Sequence, residues 1–293
     1  VTIQAEPLEV LDVLWDVEMP SGDRLPVHKA DARAKLEDRG QQRAARMLDG
    51  LPVRKDGTLE EVPVDQVFLA VHLELARLSE FVHVPQRMAS SLAPIVAQLR
   101  DDAGGTIRVV DVGCGIGFDT RVLAATRALG PDVEFVGLDF NSLLVDAAAR
   151  LARAEDIPVR FIHGDALDPS LAIDDPARTL MISSGVLHHI GRDSLGDFFA
   201  RHGDLGVAGF AHFDPSPGFW THAGAWMLHR TRMREPISRH DGSMSMRRAL
   251  SAQELLDSAT ARIGDDYELT CEDVSRYIPQ PEKIVRPIVG RRR

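Results

Sequence analysis

The run Val109-Val110-Asp111-Val112-Gly113-Cys114-Gly115-Ile116-Gly117-Phe118-Asp119-Thr120 decides the fold. The apolar residues from Ile107 to Val112 predict a fully buried strand. Gly113, Gly115 and Gly117 break it, and an apolar-periodic segment from Phe118 to Leu129 predicts a helix. Strand, glycine turn and helix open a nucleotide-binding α/β unit. Glycines suit a tight turn whose backbone a ligand approaches closely. The spacing is G-x-G-x-G, whereas the dinucleotide fingerprint is G-x-G-x-x-G. Asp111 sits two positions before the first glycine. A carboxylate there would repel a pyrophosphate and attract a cation. The expected ligand therefore has a positive end and no phosphates.

Working outward, the chain alternates strand and helix patterns. Strands are expected at Val133–Phe140, Val159–Ile162, Thr179–Ser183 and Gly206–Phe213, with a helix at Ser142–Ala154. Asp193 is a plausible N-cap for the helix after the fourth strand. Strands separated by helices mean a parallel sheet with right-handed crossovers. Residues 215 to about 250 interrupt this order with a helix over Phe219–Arg234 and a polar turn at Arg239–Ser243. Ser251 and Glu254 have capping-box spacing for a helix running to Ile263. Tyr267–Val274 and Ile284–Val289 are the last two strands expected.

On these residues the chain resembles the class I S-adenosylmethionine-dependent methyltransferases, well over about 105–214, plausibly beyond, and not over 1–100. The resemblance implies a Rossmann-like, doubly wound, mainly parallel α/β sheet of seven strands ending in an antiparallel hairpin. It divides the chain into a mostly helical N-terminal layer, 1–100, and a cofactor-binding domain, 101–293, with a specificity insertion at about 215–250. It implies S-adenosylmethionine (SAM) as cofactor and a site made by Asp111, Gly113, Cys114, Gly115, Gly117, Asp139, Phe140, Asp165, Ala166 and Ser184. Asp139 follows the glycine turn at roughly the 20-residue separation that places an acid on ribose hydroxyls. It could instead cap the following helix. Asp165 matches the acid that meets the adenine amine, although turn chemistry alone would also explain it.

Methyl transfer needs a nucleophile held in line with the sulfonium, and a base only where that nucleophile must lose a proton. Candidates at the strand ends and in the insertion are His188, His189, Asp214 and His240. The His188-His189 pair could act as contact or base, or merely shape the floor of the site. His222 also lies in the insertion. No H-x-x-x-H pair on a clear helix and no tight carboxylate cluster is visible, so no metal is expected. Phe219, Trp220, Trp226 and Met227 could wall an acceptor pocket or pack on the sheet. Arg230, Arg232 and Arg234 could meet an acidic acceptor.

The remaining sequence narrows the function class. Of 293 residues, 44% are hydrophobic and 27% charged, a globular composition. The net charge of −10 argues against a bulk electrostatic grip on nucleic acid. The expected partner is a small-molecule methyl acceptor, a metabolite or natural-product intermediate. Two cysteines make no disulfide framework, which fits a reducing cytoplasm. No signal segment or membrane-spanning run is visible. The oligomeric state stays open, a homodimer included.

The N-terminal 100 residues predict a helix over Ala30–Leu48, an amphipathic one over Asp65–Phe81 and another over Met88–Leu99 despite Pro94. Leu8–Val17 could be strand or helix, and Met19–Asp23 is a turn signal. His72 and His83 could point into a pocket, or be ordinary packed histidines. A non-catalytic SAM-binding module is one alternative reading. A nicotinamide-dependent oxidoreductase is another, against which Asp111 and the glycine spacing speak.

Overall fold

The computed structural model describes residues 6–18, 23–103, 105–272 and 285–293. In chain order the elements are β1 (Asp16–Glu18), β2 (Asp23–Leu25), α1 (Lys29–Asp38), α2 (Gln42–Met47), α3 (Glu61–Phe81) and α4 (Val84–Ala103). Then come β3 (Ile107–Val112), α5 (Phe118–Thr126), β4 (Val133–Asp139), α6 (Ser142–Ala154), β5 (Val159–His163) and β6 (Thr179–Ser184). They continue with α7 (Leu187–Ile190), α8 (Arg192–Leu205), β7 (Gly209–Pro215), α9 (Phe219–Arg232), α10 (Pro236–Arg248), α11 (Ala252–Ile263), β8 (Tyr267–Cys271) and β9 (Val285–Arg292).

Seven strands form one sheet in the order β5-β4-β3-β6-β7-β9-β8. The first five pair in parallel, and β9 runs antiparallel between β7 and β8. This is the doubly wound sheet with a C-terminal antiparallel hairpin expected from the sequence. Alternation along β3 feeds two cores. Val110 and Val112 face Phe198 and Phe199 of α8 and Leu255 and Ile263 of α11. Ile107 and Val109 face Met88, Leu92 and Ile95 of α4 and Leu123 of α5. Each such large side chain contributes about 1.5–3 kcal/mol on burial, so both faces of β3 must be apolar, and the unbroken run is explained.

The N-terminal layer has its own core. Val10, Leu14, Trp15, Leu36, Leu48, Phe68 and Val71 pack together, joined by Ile237 of α10. Helix α4, by contrast, packs on the sheet despite Pro94.

Several local expectations are corrected. Ala30–Leu48 is two helices, because Gly40 adopts φ 71° in the turn between them. The polar stretch Arg239–Ser243 is not a turn but lies inside α10. Its buried Asp241 and Gly242 face neighbouring elements. Asp193 sits in the first turn of α8, whose N-cap is Gly191. The capping box at Ser251 and Glu254 is present. Leu8–Val17 becomes a 3-10 turn, Leu11–Val13, followed by β1. The expected turn at 19–22 and the end of the strand at Val274 lie outside the described residues. Among the described residues no helix is long and apolar enough to cross a membrane, and Cys114 and Cys271 are not joined in a disulfide.

Candidate functional site

The site starts at the carboxyl end of β3. Gly113, Gly115 and Gly117 all have positive φ. The loop is tied to β4 by Gly113 and Cys114, whose N–H groups donate to the Leu138 carbonyl at 2.7 and 3.1 Å. Gly113 must lack a side chain, since a Cβ would come within 2.5 Å of Val186. Asp139, at the end of β4, accepts the Gly115 N–H on Oδ2 at 2.8 Å and the Asn141 N–H on Oδ1 at 2.9 Å. The cap of α6 is Asn141, which accepts from the Leu144 N–H. Asp139 is thus not the helix cap that the sequence left open, and each of its oxygens keeps a lone pair. Burial raises its pKa above the usual carboxylate value.

Asp111 behaves differently from its expected part. Its Oδ2 accepts from the Thr120 hydroxyl at 2.5 Å, which ties β3 to the first turn of α5. Burial pushes its pKa up to about 8. It lies behind the glycine loop and outside the cavity lining, as does Gly117, the N-cap of α5. Asp119, on the same helix turn, accepts from Ser79 of α3 and is pushed up to about 6 by burial. Asp165 accepts the Leu167 N–H at 2.8 Å, a turn contact, and also lines the cavity.

One cavity of about 720 Å³ joins these strand ends to the N-terminal layer. Gly113, Cys114, Gly115, Asp139, Phe140, Asp165, Ala166 and Ser184 line one end. Trp15, Phe68, Val71 and His72 of the layer, with Leu228, Asp241 and Met246 of α9 and α10, close the other. Phe219, Trp220, Trp226 and Met227 are 55–77% exposed and do not line it. Neither of the two readings left open for them, a pocket wall or a face packed on the sheet, holds: α9 turns Ala225, Leu228 and His229 to the cavity instead. Arg230 and Arg232 lie over the rings of Trp226 and Phe81. His222 bonds the Gly218 carbonyl of its own helix.

The candidate catalytic residues separate into three kinds. His188 and His189 line the cavity. Asp214 stands behind them, accepting from the Leu187 N–H at 3.1 Å and from His188 Nδ1 at 3.1 Å. His240 donates to Asp241 Oδ1 at 2.8 Å and is not a lining residue. Glu9, unforeseen in the sequence, faces both histidines: its carboxylate oxygens lie 3.5 Å from His188 Nε2 and 3.7 Å from His189 Nε2. Burial alone would lower the pKa of His188, but Asp214 and Glu9 outweigh it and push it up to about 10. So placed, His188 holds its proton at neutral pH and is a poor acceptor for another. Burial makes Glu9 and Asp12 harder to ionise, yet His189 and His188 hold the Glu9 carboxyl, and His189 and Arg248 the Asp12 carboxyl, below the ordinary value.

His72 is the other kind of histidine. Its Nδ1–H donates to the Phe68 carbonyl at 2.8 Å, so Nε2 carries the lone pair. The ring lies against Gly115, where an added Cβ would stand 3.0 Å from its Cδ2. Burial lowers its pKa, so it is neutral. His83, the other N-terminal candidate, is an exposed turn residue with φ 57° between α3 and α4. Sequence reasoning missed Glu9, Asp12 and Arg248, which lie far apart in the chain and belong to no motif; only folding makes them neighbours.

Comparison with known proteins bears on the fold. Residues 109–205 match the family model described as a methyltransferase domain. No curated protein matches the chain in sequence. Among solved structures, the plantazolicin methyltransferase BamL, in complex with a triazolic desmethylPZN analog and SAH, is similar over 75% of this chain and 90% of its own, at 10% identity and TM-score 0.54. The plantazolicin methyltransferase BpumL, with a monoazolic desmethylPZN analog and SAH, is similar over 75% and 89%, at 9% identity and TM-score 0.52. At such identities the likeness is one of fold. The segment that matches the methyltransferase-domain model, residues 109–205, spans the glycine loop, Asp139, Asp165 and the His188-His189 pair, and the chain around it has the class I methyltransferase fold.

Proposed function

We propose that the chain transfers the methyl group of SAM to a small molecule bound in the cavity between the sheet and the N-terminal layer. The observation that carries this reading is the continuity of the cavity. Its about 720 Å³ falls within the range of small-molecule sites, and the glycine loop and an apolar chamber share it. The bound small molecules named for the two plantazolicin methyltransferases favour an acceptor of that class.

The residues present fit the adenosyl ligand. Asp139 keeps lone pairs for ribose hydroxyls, and Gly113 and Gly115 leave backbone open where a side chain would intrude. Phe140, Asp165 and Ala166 would hold the base, with Asp165 accepting from its amine. Ser184 and Gly115 would flank the methionine end. SAM supplies an activated methyl carbon when bound; the chain's part is to position and to exclude water. Trp15, Phe68 and Val71 would seat an apolar portion of the acceptor. His72 is the neutral imidazole placed to accept a proton from it, whereas His188 is held charged.

Calorimetry with SAM, S-adenosylhomocysteine (SAH) and NADH tests the reading. Binding of SAM and SAH, with none of NADH, is expected. Binding of NADH without either adenosyl ligand would overturn it.

A further inference from the structure

Three side chains of metal-ligand type converge on the cavity wall from two distant parts of the chain. Glu9 Oε1 lies 3.5 Å from His188 Nε2, and Glu9 Oε2 lies 3.7 Å from His189 Nε2. One donor atom from each residue falls within 4.8 Å of the others. These separations are long for hydrogen bonds. They are close to the edge of a tetrahedron, about 3.4 Å, built on ligand bonds of about 2.1 Å to nitrogen and oxygen.

The supporting groups fit the same purpose. His188 is buried, and its Nε2 has no hydrogen-bond partner. Its Nδ1 bonds Asp214, the carboxylate–histidine arrangement that aims the other nitrogen at an ion. Ser245 donates to Glu9 Oε1 at 2.7 Å and fixes that carboxylate. His189 Nδ1 lies 3.3 Å from Asp12 Oδ1, so its Nε2 is likewise the nitrogen left for a ligand. Arg248 is the fixed cation of this cluster: it bonds Asp12 at 2.5 Å and stands 3.8 Å from Glu9. Glu9, Asp12 and Asp214 bring three carboxylates around the two imidazoles.

We propose that Glu9, His188 and His189 hold a divalent transition-metal ion. Two imidazoles and one carboxylate select ions of the zinc, cobalt, iron or manganese kind over magnesium or calcium, which take mainly oxygen ligands. The ion takes the lone pair on His188 Nε2 that a proton otherwise occupies. All three ligands line the cavity, so the ion's free positions open to it. An oxygen or nitrogen of the acceptor can bind there. That last role rests on the methyltransferase reading; the ion site does not.

The test uses the full chain without a histidine tag, stripped with a chelator, then titrated with cobalt(II) by visible absorption and with zinc by calorimetry. Saturable binding at a single equivalent is expected. Glu9→Gln, His189→Ala and the outer-sphere change Asp214→Asn should each weaken it by at least about tenfold. His189 is 39% exposed in its side chain, so its truncation leaves the core intact, and unfolding midpoints report any loss of fold in the others. Absence of binding in the parent chain, or equal affinity in Glu9→Gln and His189→Ala, would overturn the site. SAH affinity of the parent chain is measured in parallel: a parent chain that binds cobalt but not SAH would overturn the methyltransferase reading and leave the ion site, and one that binds SAH but not cobalt would overturn the ion site.

Discussion

The carboxylate of Asp139 accepts the Gly115 backbone N–H at 2.8 Å, so the end of β4 holds the glycine loop that follows β3. The same carboxylate would bind ribose. Replacing it removes both functions: Asp139→Ala should weaken SAH binding by at least about tenfold, the scale of a lost charge-assisted hydrogen bond. Calorimetry measures this directly. Unchanged affinity would remove Asp139 from the site.

Gly117 and Gly40 separate two costs of a side chain at positive φ. A Cβ at Gly117 would lie 2.3 Å from the Phe161 ring, whereas at Gly40 nothing lies within 4 Å. Gly40→Ala should therefore cost only the left-handed backbone term, about 1–2 kcal/mol. Gly117→Ala adds overpacking of about 1–3 kcal/mol. Urea unfolding of both variants should show the larger loss at Gly117.

Behind the sheet, His202 and His212 form a buried neutral pair. His202 Nδ1–H donates to the Phe198 carbonyl, so its Nε2 accepts from His212 Nε2–H at 2.8 Å. His212 Nδ1 then accepts from the Ser183 hydroxyl at 2.9 Å. Burial pulls His202 down to about 4 and His212 well below its ordinary value. Both folded values lie below the unfolded one, near 6.5, so the unfolded chain binds more protons once the pH falls under about 6.5. This contribution is complete above that pH and declines through the acid range toward pH 4. Each histidine should contribute a slope of about 1.4 kcal/mol per pH unit there. Urea midpoints between pH 7 and about pH 4 check the slope. The double change His202→Leu with His212→Leu, which removes both polar partners, should flatten it.

Asp241 pins the N-terminal segment to α10 by accepting the Val10 N–H at 2.8 Å and the Leu11 N–H at 3.2 Å. Asp241→Ala leaves these backbone donors unpaired in a buried place, a loss of about 1–3 kcal/mol each. The segment bearing Glu9 and Asp12 should then open before the sheet does. Limited proteolysis should cut ahead of α1 in the variant and spare the parent chain.

The elements that read most clearly in the sequence are those whose signal is local. β3 is buried on both faces, so its apolar run is continuous. The glycines that follow it are demanded by backbone angle and by Val186 and Phe161. Asn141, two residues past Asp139, caps α6, and that local competition decided between the two roles left open for Asp139. Local signals misled where tertiary packing overrode them. Arg239–Ser243 is polar in sequence yet helical, because Asp241 and Gly242 face the N-terminal segment and His229. The aromatics of α9 resemble a pocket wall in composition, but the helix presents its opposite face to the cavity.

By itself, the sequence determined the doubly wound sheet, the glycine loop and the acid at the end of β4 that holds it. Each depends on residues close together in the chain, where strand burial and turn geometry leave a periodic mark. Only the tertiary structure decided what stands opposite that loop. His72 against Gly115, and Glu9 between His188 and His189, are contacts between segments that share no local pattern. Packing of the N-terminal layer over the strand ends creates them, since its apolar core closes only by joining α10 and roofing the cavity.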